Sequence, residues 1–138
     1  MTQKEKQLLL QDLCARLPYG VKCLTFDNQV AITGKLCSFS ELVDSSILFG
    51  LTDKTYDAPN KYYQPQAMFK YETIKPYLRP IKNMTEKEIE KMWNIWENGA
   101  ASEVASKITD FLNEEHLDHH HLIEKGLALE APEGMYNI

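Results

Sequence analysis

The residues best equipped for chemistry crowd into one short stretch: His116, His119, His120 and His121, with Glu114, Glu115, Asp118 and Glu124 around them. Imidazole nitrogens and carboxylate oxygens are zinc ligands. Read as one helix over 116–124, the stretch puts His116 and His120 on a common face at i, i+4 and carries that face on to Glu124, which would make a three-ligand metal site. The spacing departs from H-E-x-x-H, and the competing reading is a solvated helix start that meets metal only adventitiously. His116, His120 and Glu124 are therefore the metal candidates of one alternative, a metal-dependent enzyme. The preferred reading assigns no metal and no cofactor.

A second constellation interleaves aromatic and basic side chains: Tyr56, Lys61, Tyr62 and Tyr63, flanked by Lys54, Lys70 and Tyr71. Aromatic faces stack on bases and lysines meet phosphates, so this loop would suit single-stranded nucleic acid. Against that stands a net charge of −5, because phosphate binding rests on Lys and Arg replacing counterions. Nucleic acid is thus an alternative, not the favoured partner. The same four residues, Tyr56, Lys61, Tyr62 and Tyr63, are the candidate surface for a protein partner. Met92, Trp93 and Trp96 form a third group, and at helical spacing they read first as core against a sheet and second as a partner patch. No G-x-S-x-G, P-loop or G-x-G-x-x-G ties the remaining Ser, Cys, His and acid residues together. The sequence points to no catalytic residue, and an enzyme is unsupported.

The elements that must position these groups come next. A chain of 138 residues makes one core, so 1–138 reads as a single domain. Thr2-Gln3-Lys4-Glu5 fits a capping box and predicts a helix over about 3–16, stopped by Pro18-Tyr19-Gly20. From Val21 the period becomes two, with Val21, Cys23 and Thr25 on one face. Asp27-Asn28-Gln29 then turns the chain into a return strand, Val30 to Cys37, in which Gly34 marks a bulge or bend. Further strands are predicted at 46–52, 67–71 and 74–78, the last an edge strand because Pro76 has no N–H for a ladder. The 53–66 segment is a long polar loop.

After Pro80 the pattern is helical: Thr85-Glu86-Lys87-Glu88 repeats the capping box, and Asn98-Gly99 ends that helix with a left-handed residue. Helices over about 102–115 and from 118 to before Gly126 follow. Residues 1–80 carry a net +2 and residues 81–138 a net −7, which makes Arg79, the last cation before the acidic half, the candidate for a structural ion pair with it. The 74–88 joint turns the chain back so that Met92, Trp93 and Trp96 cover the strands. Cys14, Cys23 and Cys37 read as buried small hydrophobes, not as a disulfide framework. No apolar run approaches the roughly 18 residues that span a bilayer, and no signal peptide opens the chain, so a cytoplasmic location without membrane attachment is expected.

Three blocks, 12–22, 74–80 with 84–86, and 122–132, are similar to those of an uncharacterised family of short phage- or prophage-associated proteins of gut-type bacteria. No activity is assigned to that family, so the resemblance implies a mobile-element context and nothing chemical. It further implies Asp-Tyr-Arg-Gly where this chain has Asp118-His119-His120-His121, which makes the histidines peculiar to this member.

Together these readings predict an α+β domain. An N-terminal helix precedes a small, bent antiparallel sheet of four or five strands, with an SH3-like barrel as the closed alternative, and C-terminal helices pack on it. The functional expectation is a non-enzymatic accessory or protein-interaction protein of a phage or integrated element. No motif specifies its partner or its oligomeric state.

Overall fold

A threonine starts the fold. In the computed structural model, whose described residues are 1–27, 29–42, 46–52 and 66–136, Thr2 Oγ1 accepts from the Glu5 amide at 3.1 Å and Glu5 Oε1 accepts from the Thr2 amide at 2.9 Å. The reciprocal pair satisfies two free N–H groups and opens helix α1, Gln3–Arg16. Leu9, Asp12, Leu13 and Arg16 lie on its inward stripe and are fully buried, the i, i+3, i+4, i+7 spacing of one helical face. Gly20, at φ +64°, closes the following 3-10 turn by donating to Leu17 O.

Among the described residues six strands follow: β1 Lys22–Asp27, β2 Val30–Glu41, β3 Ile47–Thr52, β4 Gln66–Lys70, β5 Lys75–Leu78 and β6 Leu129–Glu130. Their order is β4-β3-β2-β1-β5-β6, antiparallel except where β6 joins β5 in parallel. The α+β class is as expected, but the sheet is mixed and open, with β4 and β6 at its ends, so the barrel alternative is not realised. The extra strand comes from the tail near Leu129. Period-two alternation is clean from Val21 into β1, where Cys23 and Thr25 are buried with it, and on β2, where Leu36 is buried while Thr33 and Lys35 face out. Leu9 and Leu13 of α1 meet Val21, Cys23, Leu36, Phe49, Leu51, Ile74 and Leu78 in the core, each buried leucine contributing roughly 1.5–3 kcal/mol.

Two punctuating residues act differently from expectation. A Cβ on Gly34 would stand 2.9 Å from Thr52 O, so glycine is needed there for close strand approach, and the bulge falls instead between Leu36 and Ser38. That bulge leaves Cys37 exposed, and Cys14 is exposed as well, so only Cys23 of the three thiols is the buried hydrophobe expected. Pro76 is not at an edge: β5 pairs with β1 through Lys75 and Pro76 and with β6 through Tyr77 and Leu78. The proline sits where one ladder ends and the next begins, a place that tolerates its missing N–H.

Arg79 leads out of β5 into the acidic half, and the ion pair expected of it forms. Its Nη1 and Nη2 donate to Glu88 Oε2 and Oε1 at 2.7 and 2.6 Å. Glu88 is also the third residue of helix α2, Glu86–Asn98, whose capping box with Thr85 is complete. One carboxylate therefore caps the helix and fastens it to the sheet. Helix α3, Val104–Glu114, returns beside α2 and buries Phe111 and Asn113. Gly99 between them has φ −83°, an extended value, and a Cβ would stand 2.7 Å from Ile95 O and 2.8 Å from Val104 Cγ2. Lack of room, not a left-handed backbone, selects glycine at this helix end.

The predicted third C-terminal helix is replaced by turns. His116, at φ +59°, ends α3 in a Schellman arrangement: Leu117 N donates to Leu112 O and His116 N to Asn113 O. Arg79 and Leu117 then pair as an isolated bridge. The Asp118 carboxylate accepts from the Leu122 and Ile123 amides at 2.8 and 3.0 Å, and Gly126, at φ +74°, closes the next turn the same way as His116.

Candidate functional site

Two surfaces stand out once the elements are in place. The first grows from α1. Asp12 and Arg16, four residues apart, are both fully buried, with Arg16 Nε donating to Asp12 Oδ2 at 2.8 Å. Arg16 Nη2 donates to Leu117 O at 2.6 Å, which draws the 116–121 turns onto the helix. Across that junction His120 Nδ1 lies 3.0 Å from Asp12 Oδ1. An ionised carboxylate only accepts, so Nδ1 carries the proton. His119 Nε2 lies 2.8 Å from Oδ1 of the buried Asn113, an acceptor that places the proton on Nε2 and leaves Nδ1 bare.

The charge states follow from these surroundings. Burial pushes the Asp12 carboxyl up, but the His120 hydrogen bond and the Arg16 guanidinium outweigh it and hold the group below its ordinary value. Burial, reinforced by His120, lowers His119 to about 4, and His119 is neutral at pH 7.

Among the described residues, Asp12, His119 and His120 are the group whose ligand atoms converge, all within 4.8 Å of one another. This differs from the set the spacing suggested. His120 is shared, but His116 stacks on Tyr136 with ring centroids 4.0 Å apart, and Glu124 is exposed and outside the cluster. The reason is the left-handed residues His116 and His121, which break the helix that i, i+4 geometry requires. Asp12, 108 positions from His120, gives no sequence signal beyond its i, i+4 arginine.

The second surface is the outer face of α2. Ile89, Trp93 and Trp96 recur at i, i+4, i+7, one helical face, and are 39, 56 and 61 % exposed. The expectation that Met92, Trp93 and Trp96 cover the strands is therefore overturned. Glu88 is the buried residue of α2, and it holds the helix to the body by its first turn. Met92, Trp93 and Trp96 instead combine with Ile108 of α3 to line an apolar depression of about 370 Å³. The two helices that carry it are acidic: residues 86–114 hold seven acids and three lysines, a net of −4, of which the buried Glu88 is balanced by Arg79.

The candidate interaction residues Tyr56, Lys61, Tyr62 and Tyr63 lie outside the described residues. No described helix is long and apolar enough to cross a membrane. Compared with known protein families, curated proteins and solved structures, the chain matches none.

Proposed function

We propose that this chain is a non-enzymatic interaction protein that docks a basic, amphipathic helical segment of a protein partner in the α2–α3 depression. The carrying observation is the exposure of both tryptophans on one stripe of a helix whose first turn is firmly anchored. Contiguous exposed aromatic surface with a polar rim is what binding sites present, and Trp is enriched among residues that dominate interface energies. A groove between two helices takes a third helix by its i, i+3, i+4, i+7 face. The acidic rim selects for Lys and Arg around that face and repels a second copy of this chain. A setting in a phage or integrated element, which rests on the three sequence blocks, and action in the cytoplasm belong to the same proposal.

Trp93 and Trp96 are the chain's two tryptophans, so intrinsic fluorescence reports this face directly. Titration with a Leu/Lys amphipathic helical peptide is expected to shift emission to the blue, and a Leu/Glu peptide of the same pattern to leave it unchanged. Equal response to both peptides, or a blue shift produced by protein concentration alone, would refute the basic-helix reading.

A further inference from the structure

We propose that Asp12, His119 and His120 form a binding site for one divalent transition metal of the zinc class, held by one carboxylate oxygen and two imidazole nitrogens. The site is independent of the tryptophan face. Its donor set is that of borderline cations such as Zn2+ or Co2+, not of Mg2+ or Ca2+, which prefer all-oxygen ligands.

The geometry is close to assembled. Two donor atoms bound to one Zn2+ at roughly 2.0–2.2 Å and a tetrahedral angle are about 3.3 Å apart. Asp12 Oδ1 and His120 Nδ1 already stand 3.0 Å apart. The His119 and His120 rings lie 4.1 Å apart by centroid and are tilted by 43°, and the third ligand atom is within 4.8 Å of both others.

The supporting shell is the second argument. Metal-binding histidines typically pass their other N–H to a protein acceptor, and ligating carboxylates are themselves hydrogen-bonded. Here Asn113 Oδ1 accepts from His119 Nε2 and turns the bare Nδ1 free for coordination. Arg16 Nε holds Asp12 Oδ2, leaving Oδ1 for the histidines. On metal binding at His120 Nδ1, the proton there moves to Nε2, on a side chain 29 % exposed, where water can accept its hydrogen bond. Arg16 also sets a limit: its charge already balances Asp12, which weakens attraction for a cation and leaves open coordination positions to water. The metal is therefore held less tightly than at a site without the guanidinium.

The test uses the full chain without an affinity tag, stripped with chelator. Calorimetric titration with Zn2+ is expected to give one equivalent, with Mg2+ giving no signal, and Co2+ is expected to produce the visible bands of a four- or five-coordinate site. His119→Ala and His120→Ala should each weaken binding at least about tenfold, while His116→Ala and His121→Ala stay within about twofold of the parent. Circular dichroism checks that each variant folds. If an alanine variant does not, His119→Gln or His120→Asn takes its place, and the parent Co2+ spectrum decides independently. Absence of saturable one-to-one binding, an octahedral Co2+ spectrum, or an equal loss on His121→Ala would overturn the site.

Discussion

Glu88 is the residue on which most depends. It accepts two guanidinium bonds from Arg79 and the Thr85 amide, and the Arg79 bonds, ahead of the opposing effect of burial, hold its carboxyl near a pKa of about 2. Its folded value is depressed from the ordinary 4.5, so its stabilisation is complete above that pH and is lost as pH falls toward 2. Glu88→Gln is expected to cost about 3 kcal/mol at neutral pH, the usual scale for breaking a buried pair from one side. The gap to the parent should close on acidification from about pH 5 to pH 2.5, a window set by the two pKa values. Urea unfolding across that range measures it, and a gap that stays constant would count against the pair. Arg79 was legible as the hinge cation because charge reverses sign at that position. The Asp12–Arg16 pair was half legible, since i, i+4 spacing names the couple but nothing local names Leu117 O or His120 as its other partners.

At the scale of elements, local signals and long-range ones part company. Both capping boxes form as their four-residue patterns require, because every partner lies within one turn. The 118–126 segment defeats the same logic. Asp118 serves as a cap for a short turn, and left-handed histidines, which carry no glycine signature, halt the helix on both sides of it. Helix α2 carries the sharpest lesson: a tryptophan stripe says that one face is apolar, not what covers it. Since Trp93 and Trp96 contribute little to the core, Trp93→Gln and Trp96→Gln should leave unfolding free energy within about 0.5 kcal/mol of the parent, the ordinary surface range. Loss of an aromatic core residue would cost about 3–5 kcal/mol. Denaturant titration of each variant separates these outcomes, and a loss of core size would return the stripe to the interior.

For the whole molecule the distribution of burial sets an order of opening. The core joins α1, β1, β2, β3 and β5 with Leu122, Leu127 and Ala128, residues drawn from both ends of the chain. Tyr136 fastens the tail to that core, its hydroxyl donating to Tyr77 O and accepting from the Lys22 amide. Helix α2 lies outside this closed set, joined through Glu88 and through its contact with α3. Amide protection follows the free energy of local opening, and segments with few buried apolar contacts open first. The amides of Ile89–Asn98 are therefore expected to exchange by a local opening, well before those of Leu9–Arg16 or Cys23–Phe26, which should exchange only with global unfolding. Native-state hydrogen exchange resolves this, and in Glu88→Gln the α2 amides should lose protection more than the sheet does. A basic helical peptide seated on the tryptophan face should narrow the difference, raising α2 protection toward that of the core. Uniform protection across α2 and β1 would mean that the helix is part of the cooperative core, and would remove the physical basis for treating its apolar face as a surface awaiting a partner.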